Sequence, residues 1–181
     1  MTHKRARIGV VDPDGQTAEM VAEHLTRSLG VDVVCSKTAA EAIDHDRKQR
    51  YDLVLADLGL TDSDAIQFAR QIQAYGERPI ILTSENPTLG RAVEAMRLGV
   101  KDLLTKPFDL SHLTQVTRRA LDQHEQQARE RLRIRQLGQS CRELERDRRE
   151  LSERIELVCR DLVNAYGRLA QRVVASQSAS E

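Results

Sequence analysis

Tyr51-Asp-Leu-Val-Leu-Ala-Asp57 decides the fold. An apolar run rich in Leu and Val, bounded by acids, reads as a buried strand of a parallel sheet. It ends in a single carboxylate, and the turn-prone Leu58-Gly-Leu-Thr-Asp-Ser-Asp64 follows at once. Ligands of open α/β sheets sit just beyond the carboxyl ends of such strands. Asp57 is therefore placed as a nucleophile, a metal ligand or a helix cap.

Outward from this strand the alternation repeats. Ile8–Val11 reads as a first strand, closed by Asp12-Pro13-Asp14-Gly15 as a tight turn. A helix is predicted from Gln16 to Leu29, with Met20, Val21, Leu25 and Leu29 at helical spacing and Gly30 closing it. Val31–Cys35 is a second strand, and Thr38 opens a helix through Arg47 with Glu41 as a capping-box partner. Beyond Asp57, a helix from Ser63 to Ala74 turns Ile66, Phe68, Ala69 and Ile72 inward. Pro79–Thr83 is a fourth strand, with Pro first, where no ladder donor is needed. A helix from Thr88 to Leu98 is stopped by Gly99, Lys101–Thr105 is a fifth strand, and a fifth helix starts near Asp109-Leu-Ser111. Strands alternating with helices predict a doubly wound parallel α/β sheet with the loops after strands one, three, four and five at one edge.

The formal net charge is +0, so no global field draws the chain to nucleic acid or an anionic membrane. Aromatic content is 3% with no Trp, which disfavours base stacking. Cys35, Cys141 and Cys159 are odd in number and lack metal-type spacing, which fits a reducing compartment. Behind the basic N-terminus the apolar run Ile8–Val11 is too short for a signal-peptide core, and no segment is long enough to span a bilayer. A cytoplasmic protein is expected, with neither nucleic acid nor membrane as partner.

From Leu121 to Val174 the composition changes: Arg, Glu and Gln dominate, Pro is absent, and Gly occurs at Gly138 and Gly167. Ile134, Cys141, Arg148, Ile155, Leu162 and Leu169 fall at a positions of a heptad seam, and Leu137, Leu144, Leu151, Val158 and Ala165 at d. A seam of this kind buries its stripe only against another helix, which predicts a homodimeric coiled coil. Arg148 at a costs stability and would fix register and a two-chain state, or else snorkels out. The pairs g–e′ (Asp147–Ser152, Arg154–Cys159, Asp161–Tyr166) hold no opposite charges, so the seam would drive association. Arg129, Arg131, Arg133 and Arg135 precede the heptads, but a spacing of two spreads them around the helix, and a DNA-binding reading is disfavoured. Leu157 and Val163 widen the apolar face and could seat a protein effector. The expected domains are 1–122, the α/β domain; 123–175, a helical linker and dimeric coiled coil; and 176–181, a disordered tail.

Four strand ends carry residues suited to one reaction: Asp12 with Asp14, Asp57, Thr83 with Ser84, and Lys106. Taken singly, each acid is more often a helix cap or turn former, Thr83 an ordinary strand terminus and Lys106 a solvated loop charge. Together they describe phosphoryl transfer. Asp12, Asp14 and Asp57 would hold Mg²⁺, a hard cation bound through a few carboxylates plus phosphate oxygens. Asp57 would attack phosphorus. Lys106 and the metal would neutralise charge on the transferring oxygens, and the Thr83 hydroxyl would donate to the new group.

Ile8-Gly-Val-Val-Asp12, Asp57-Leu-Gly-Leu-Thr-Asp-Ser-Asp64, Pro79-Ile-Ile-Leu-Thr83, Ala92-Val-Glu-Ala-Met-Arg-Leu-Gly99 and Leu104-Thr-Lys-Pro-Phe-Asp109 together resemble a response-regulator receiver domain, close to those of the nitrogen-regulatory class, over residues 6 to 122. The resemblance implies a flavodoxin-like five-stranded sheet of order 2-1-3-4-5, phosphate accepted on Asp57 from a histidine kinase or phosphotransfer protein, Lys106 as the family's lysine, Thr83 as its switch hydroxyl, and a cis Lys106–Pro107 bond. Four positions depart from the pattern. Pro13 stands where a second acid is usual, so Mg²⁺ affinity would be weakened unless Asp14 swings in. Thr61 replaces Pro, Ala65 replaces Gly, and Leu103 occupies the aromatic switch position. The expected function is that of a non-enzymatic regulator without a DNA-binding domain, signalling through the coil to a protein partner. The alternative is a pseudo-receiver that is not phosphorylated and acts as a dimerisation or scaffold adaptor.

Overall fold

The computed structural model describes residues 5–178, with side chains through residue 168. Five strands, β1 (Arg7–Val11), β2 (Asp32–Ser36), β3 (Leu53–Asp57), β4 (Ile80–Ser84) and β5 (Asp102–Thr105), alternate with α1 (Gly15–Leu29), α2 (Ala39–Lys48), α3 (Ala65–Ala74), α4 (Leu89–Arg97) and α5 (Leu110–Ser178). All neighbours are parallel, in the order β2-β1-β3-β4-β5. This is the flavodoxin-like arrangement expected. β3 lies at its centre with every residue buried, as an uninterrupted apolar run demands.

The period of two along each strand divides the interior. Leu53, Leu55 and Ile81 point to one face and join Val21 and Leu25 of α1 and Leu113 of α5. Val54, Ala56, Ile80 and Leu82 point to the other and join Ala42 of α2, Phe68 and Ile72 of α3, and Ala95 of α4. Met20, expected on the inner stripe of α1, is instead 48% exposed; Ala18 takes the inward place one turn from Val21.

Local signals set the helix ends. Thr38 accepts the Glu41 N–H, while Glu41 reaches back to the Lys37 N–H. Thr88 caps α4. Gly30 ends α1 at φ 65°, a left-handed conformation that suits glycine. Opposite the strand tips, Arg78 and Asp46 form an ion pair with both side chains 3% exposed, and Asp46 also accepts the Tyr51 N–H at 2.9 Å.

The chain divides into two compact units, Met1–Ala128 and Arg129–Glu181. The second is helical through Gly138 and Gly167. Its seam residues Ile134, Leu137, Leu144, Leu151, Ile155, Val158 and Leu162 are each at least half exposed in the single chain. Leu169, the last a position, lies outside the described side chains; of the tail expected over 176–181, residues 176–178 belong to α5 and 179–181 lie outside the described residues. Among the described residues no helix is long and apolar enough to cross a membrane.

Candidate functional site

Each strand of the central group ends at the same rim and delivers one polar side chain there. Asp12 follows β1, Asp57 ends β3, Thr83 lies beside it on β4, and Lys106 follows β5. Lys106 Nζ donates to Asp12 Oδ2 at 2.6 Å and lies 2.8 Å from Asp57 Oδ1. Thr83 Oγ1 donates to Asp57 Oδ1 at 3.2 Å, and the Gly59 N–H donates to Asp57 Oδ2 at 2.7 Å. A β-carbon on Gly59 would stand 2.8 Å from that oxygen, so a residue without a side chain is what allows the loop to close on the carboxylate. The Lys106–Pro107 peptide is cis, as the resemblance implied.

These groups are largely withdrawn from solvent: the Asp12, Asp57 and Lys106 side chains are 7%, 11% and 15% exposed. Burial pulls the Lys106 pKa down, but the hydrogen bonds and charges of Asp12 and Asp57 outweigh it and leave it above the ordinary lysine value. Two carboxylates and one ammonium leave one negative charge in excess. They open on a cavity of about 540 Å³ lined also by Asp14, Ser84, Asn86, Thr88 and Arg91.

Asp12, Asp57, Thr83 and Lys106 are thus brought together as the strand tips predicted. Asp14 is not. It lines the cavity, but its carboxylate caps α1, accepting from the Thr17 hydroxyl at 2.6 Å and the Gln16 N–H at 3.1 Å. Those two bonds hold its pKa below the usual carboxylate value. Asp14 is the residue immediately before α1, and the first orphan N–H groups of that helix claim its carboxylate. Of the three acids expected to hold a metal, Asp12 and Asp57 meet at Lys106, while the Asp14 carboxylate is turned to the start of α1; among the described residues no group of three or more His, Cys, Asp or Glu is arranged to hold a metal ion. Two hard carboxylates with a net negative charge still suit a hard cation. Leu103 packs half-buried against the α2–α3–α4 side of the core.

Sequence reasoning missed three residues at the edge of the site. Arg91 of α4 pairs with Asp64, and Asp64 also caps α3. Asp62 accepts the N–H groups of Ala39 and Ala40 at 3.0 Å, so the loop after Asp57 caps α2. Only the Asp64 cap had a local signal, an Asx residue before an apolar helical run.

The response regulator receiver domain family matches residues 8–118. The transcriptional regulatory protein ZraR of Escherichia coli K12 is 31% identical over 122 residues, which make up 67% of this chain and 27% of ZraR. The response regulator protein TodT of Pseudomonas putida F1 is 26% identical over 167 residues, 92% of this chain and 70% of TodT. The chain spans about a quarter of the length of ZraR, matching 27% of it. Among solved structures, a CheY-like receiver domain protein from Methanospirillum hungatei JF-1 superposes with a TM-score of 0.66 at 21% identity, over 68% of this chain and 99% of that one. The BeF3-activated DrrB receiver domain gives 0.60 at 23% identity, over 66% and 99%. At that identity these two speak for the fold.

Proposed function

The chain belongs to the response regulator receiver domain family, and we propose that it accepts a phosphoryl group on Asp57 and passes the signal on through a coiled-coil homodimer. The observation that carries this reading is the Asp57 carboxylate held between Lys106 and Thr83 at the mouth of a cavity. An Asp57 oxygen attacks phosphorus, the new O–P bond forms, and the bond from phosphorus to the donor breaks, its electron pair leaving with the donor. The donor is a histidine kinase or phosphotransfer protein. Lys106 balances charge on the transferring oxygens, and the Thr83 hydroxyl is free to turn from the carboxylate to the phosphoryl group. Asp12 and Asp57 would hold Mg²⁺, which when bound supplies further positive charge to those oxygens. With Asp14 committed to α1, this affinity is weakened relative to a three-acid site.

The seam of α5 supports the dimer: a row of side chains at least half exposed in one chain is covered when a second copy lies against it. A protein effector would read the paired helices. Acetyl phosphate with Mg²⁺ should add the mass of one phosphoryl group, and Asp57→Ala should abolish the gain. The Asp14 cap favours a second reading, a dimerisation adaptor that is never phosphorylated; an absent mass gain in the parent protein selects it.

A further inference from the structure

Arg91 is the one cation besides Lys106 that lines the Asp57 cavity among the described residues. It stands in the first turn of α4, its N–H bonded to the Thr88 hydroxyl. Its guanidinium lies 2.5 Å from Asp64 Oδ2 and 4.0 Å from Glu94 Oε2, with the side chain 39% exposed. A close pair with Asp64 and a longer one with Glu94 hold it at the edge of the cavity. Asp64, its partner, is bound independently by the Ile66 and Gln67 N–H groups and does not need the arginine to stay where it is.

α4 itself is lightly anchored. Ala95 is its one buried residue, whereas α3 buries Ala65, Ile66, Phe68, Ala69 and Ile72. The Thr88 cap and the Arg91–Asp64 pair both act on its first turn. Phosphorylation of Asp57 would add about one further negative charge and three acceptor oxygens to the cavity. Besides Arg91, the cavity lining offers one cation among the described residues, Lys106, to offset this charge. A planar guanidinium is well suited to phosphoryl oxygens, which it can bind through two parallel bonds.

We propose that Arg91 is a phosphoryl-binding residue of this site, exchanging Asp64 for the phosphoryl oxygens once Asp57 is modified. The inference rests on Asp57 being the phosphoacceptor. Because Arg91 rides on α4, the exchange also shifts the first turn of that helix, and with it the exposed Leu89, Val93 and Met96.

The test is titration of the full chain with beryllofluoride and Mg²⁺, followed by calorimetry, in the parent and three variants. Arg91→Ala should weaken binding about tenfold, the usual scale of one charge-assisted contact, with Arg91→Lys intermediate. Asp64→Asn keeps an N-cap residue for α3 but removes the competing charge, so binding should tighten. A merely structural role for the ion pair would make Arg91→Ala and Asp64→Asn weaken binding alike, and that result overturns the proposal, as does an Arg91→Ala affinity equal to the parent's. A parent that neither binds beryllofluoride nor gains mass from acetyl phosphate removes the phosphoacceptor reading and this inference with it. A responsive parent with unmoved variants removes the Arg91 role alone.

Discussion

Thr83 Oγ1 lies 3.2 Å from Asp57 Oδ1, and the two residues are register partners on adjacent strands. Their side chains share one face of the sheet because parallel partners point the same way. The hydroxyl therefore reaches the carboxylate without any rearrangement. Thr83→Ala removes one buried hydrogen bond and should cost about 1 kcal/mol in urea unfolding. Phosphoryl uptake from acetyl phosphate should persist in this variant, while any change in sedimentation on adding beryllofluoride should be lost.

The Lys106 ammonium binds Asp12 and Asp57 together, and its pKa is raised above 10.5 in the folded chain. A raised value in the folded state means that the stabilisation is fully present below the unfolded value and is lost as pH rises through the folded one. The difference in urea midpoint between the parent and Lys106→Met should therefore be level from neutrality up to 10.5 and shrink above it. A difference that falls away near neutral pH would show that the lysine is not held as this geometry requires.

Asp62 ties the loop after Asp57 to the start of α2. Its slight burial pushes its pKa up, but the Ala39 and Ala40 N–H groups outweigh this and leave it below 3.8. A depressed value means the contribution is present above 3.8 and is lost as pH falls through the folded value. Asp62→Ala should cost about 0.5–2 kcal/mol at neutral pH, as lost helix caps do. Its acid unfolding limb should be flatter than the parent's as pH falls from 3.8 through the folded value.

Arg78 and Asp46 are a buried pair at the far end of the sheet from the site. Arg78→Met leaves a carboxylate buried without its cation and should cost about 3–5 kcal/mol in thermal or urea unfolding. The double variant Arg78→Met/Asp46→Leu should recover much of that loss, since neither charge then remains desolvated. Acetyl phosphate labelling of the folded double variant should match the parent, because neither residue lines the Asp57 cavity.

Leu151 and Arg148 test the paired-helix reading from opposite sides. Leu151→Asp places a charge at a d position, forfeits about 1.5–3 kcal/mol of burial per chain, and should yield monomers in sedimentation equilibrium. Arg148→Leu restores an apolar a position and should tighten association about tenfold or more. Identical sedimentation of parent and both variants would mean that the seam is not the interface.

Most of the α/β unit was legible because its signals are local. A fully apolar β3, the Thr38 and Thr88 caps and the left-handed Gly30 are each decided by hydrogen bonds and burial within a few residues. The rim residues could be named for a related reason: each stands at the end of its own strand, and a parallel sheet collects those ends on one edge. Asp14 shows where local reasoning fails, since the same acid suits a metal and a helix cap, and the nearby N–H groups of α1 win.

The sequence by itself determined which segments are strands and helices, and that a lone acid, a hydroxyl and a lysine end three of those strands. Only the tertiary structure decided which charges meet: Lys106 with both Asp12 and Asp57, Arg78 with Asp46, and Arg91 with Asp64. Hydrogen-bond periodicity acts over three or four residues and is written in the chain. Ion pairing acts through space, and its partners are chosen by the strand order and crossovers that carry distant residues to one place.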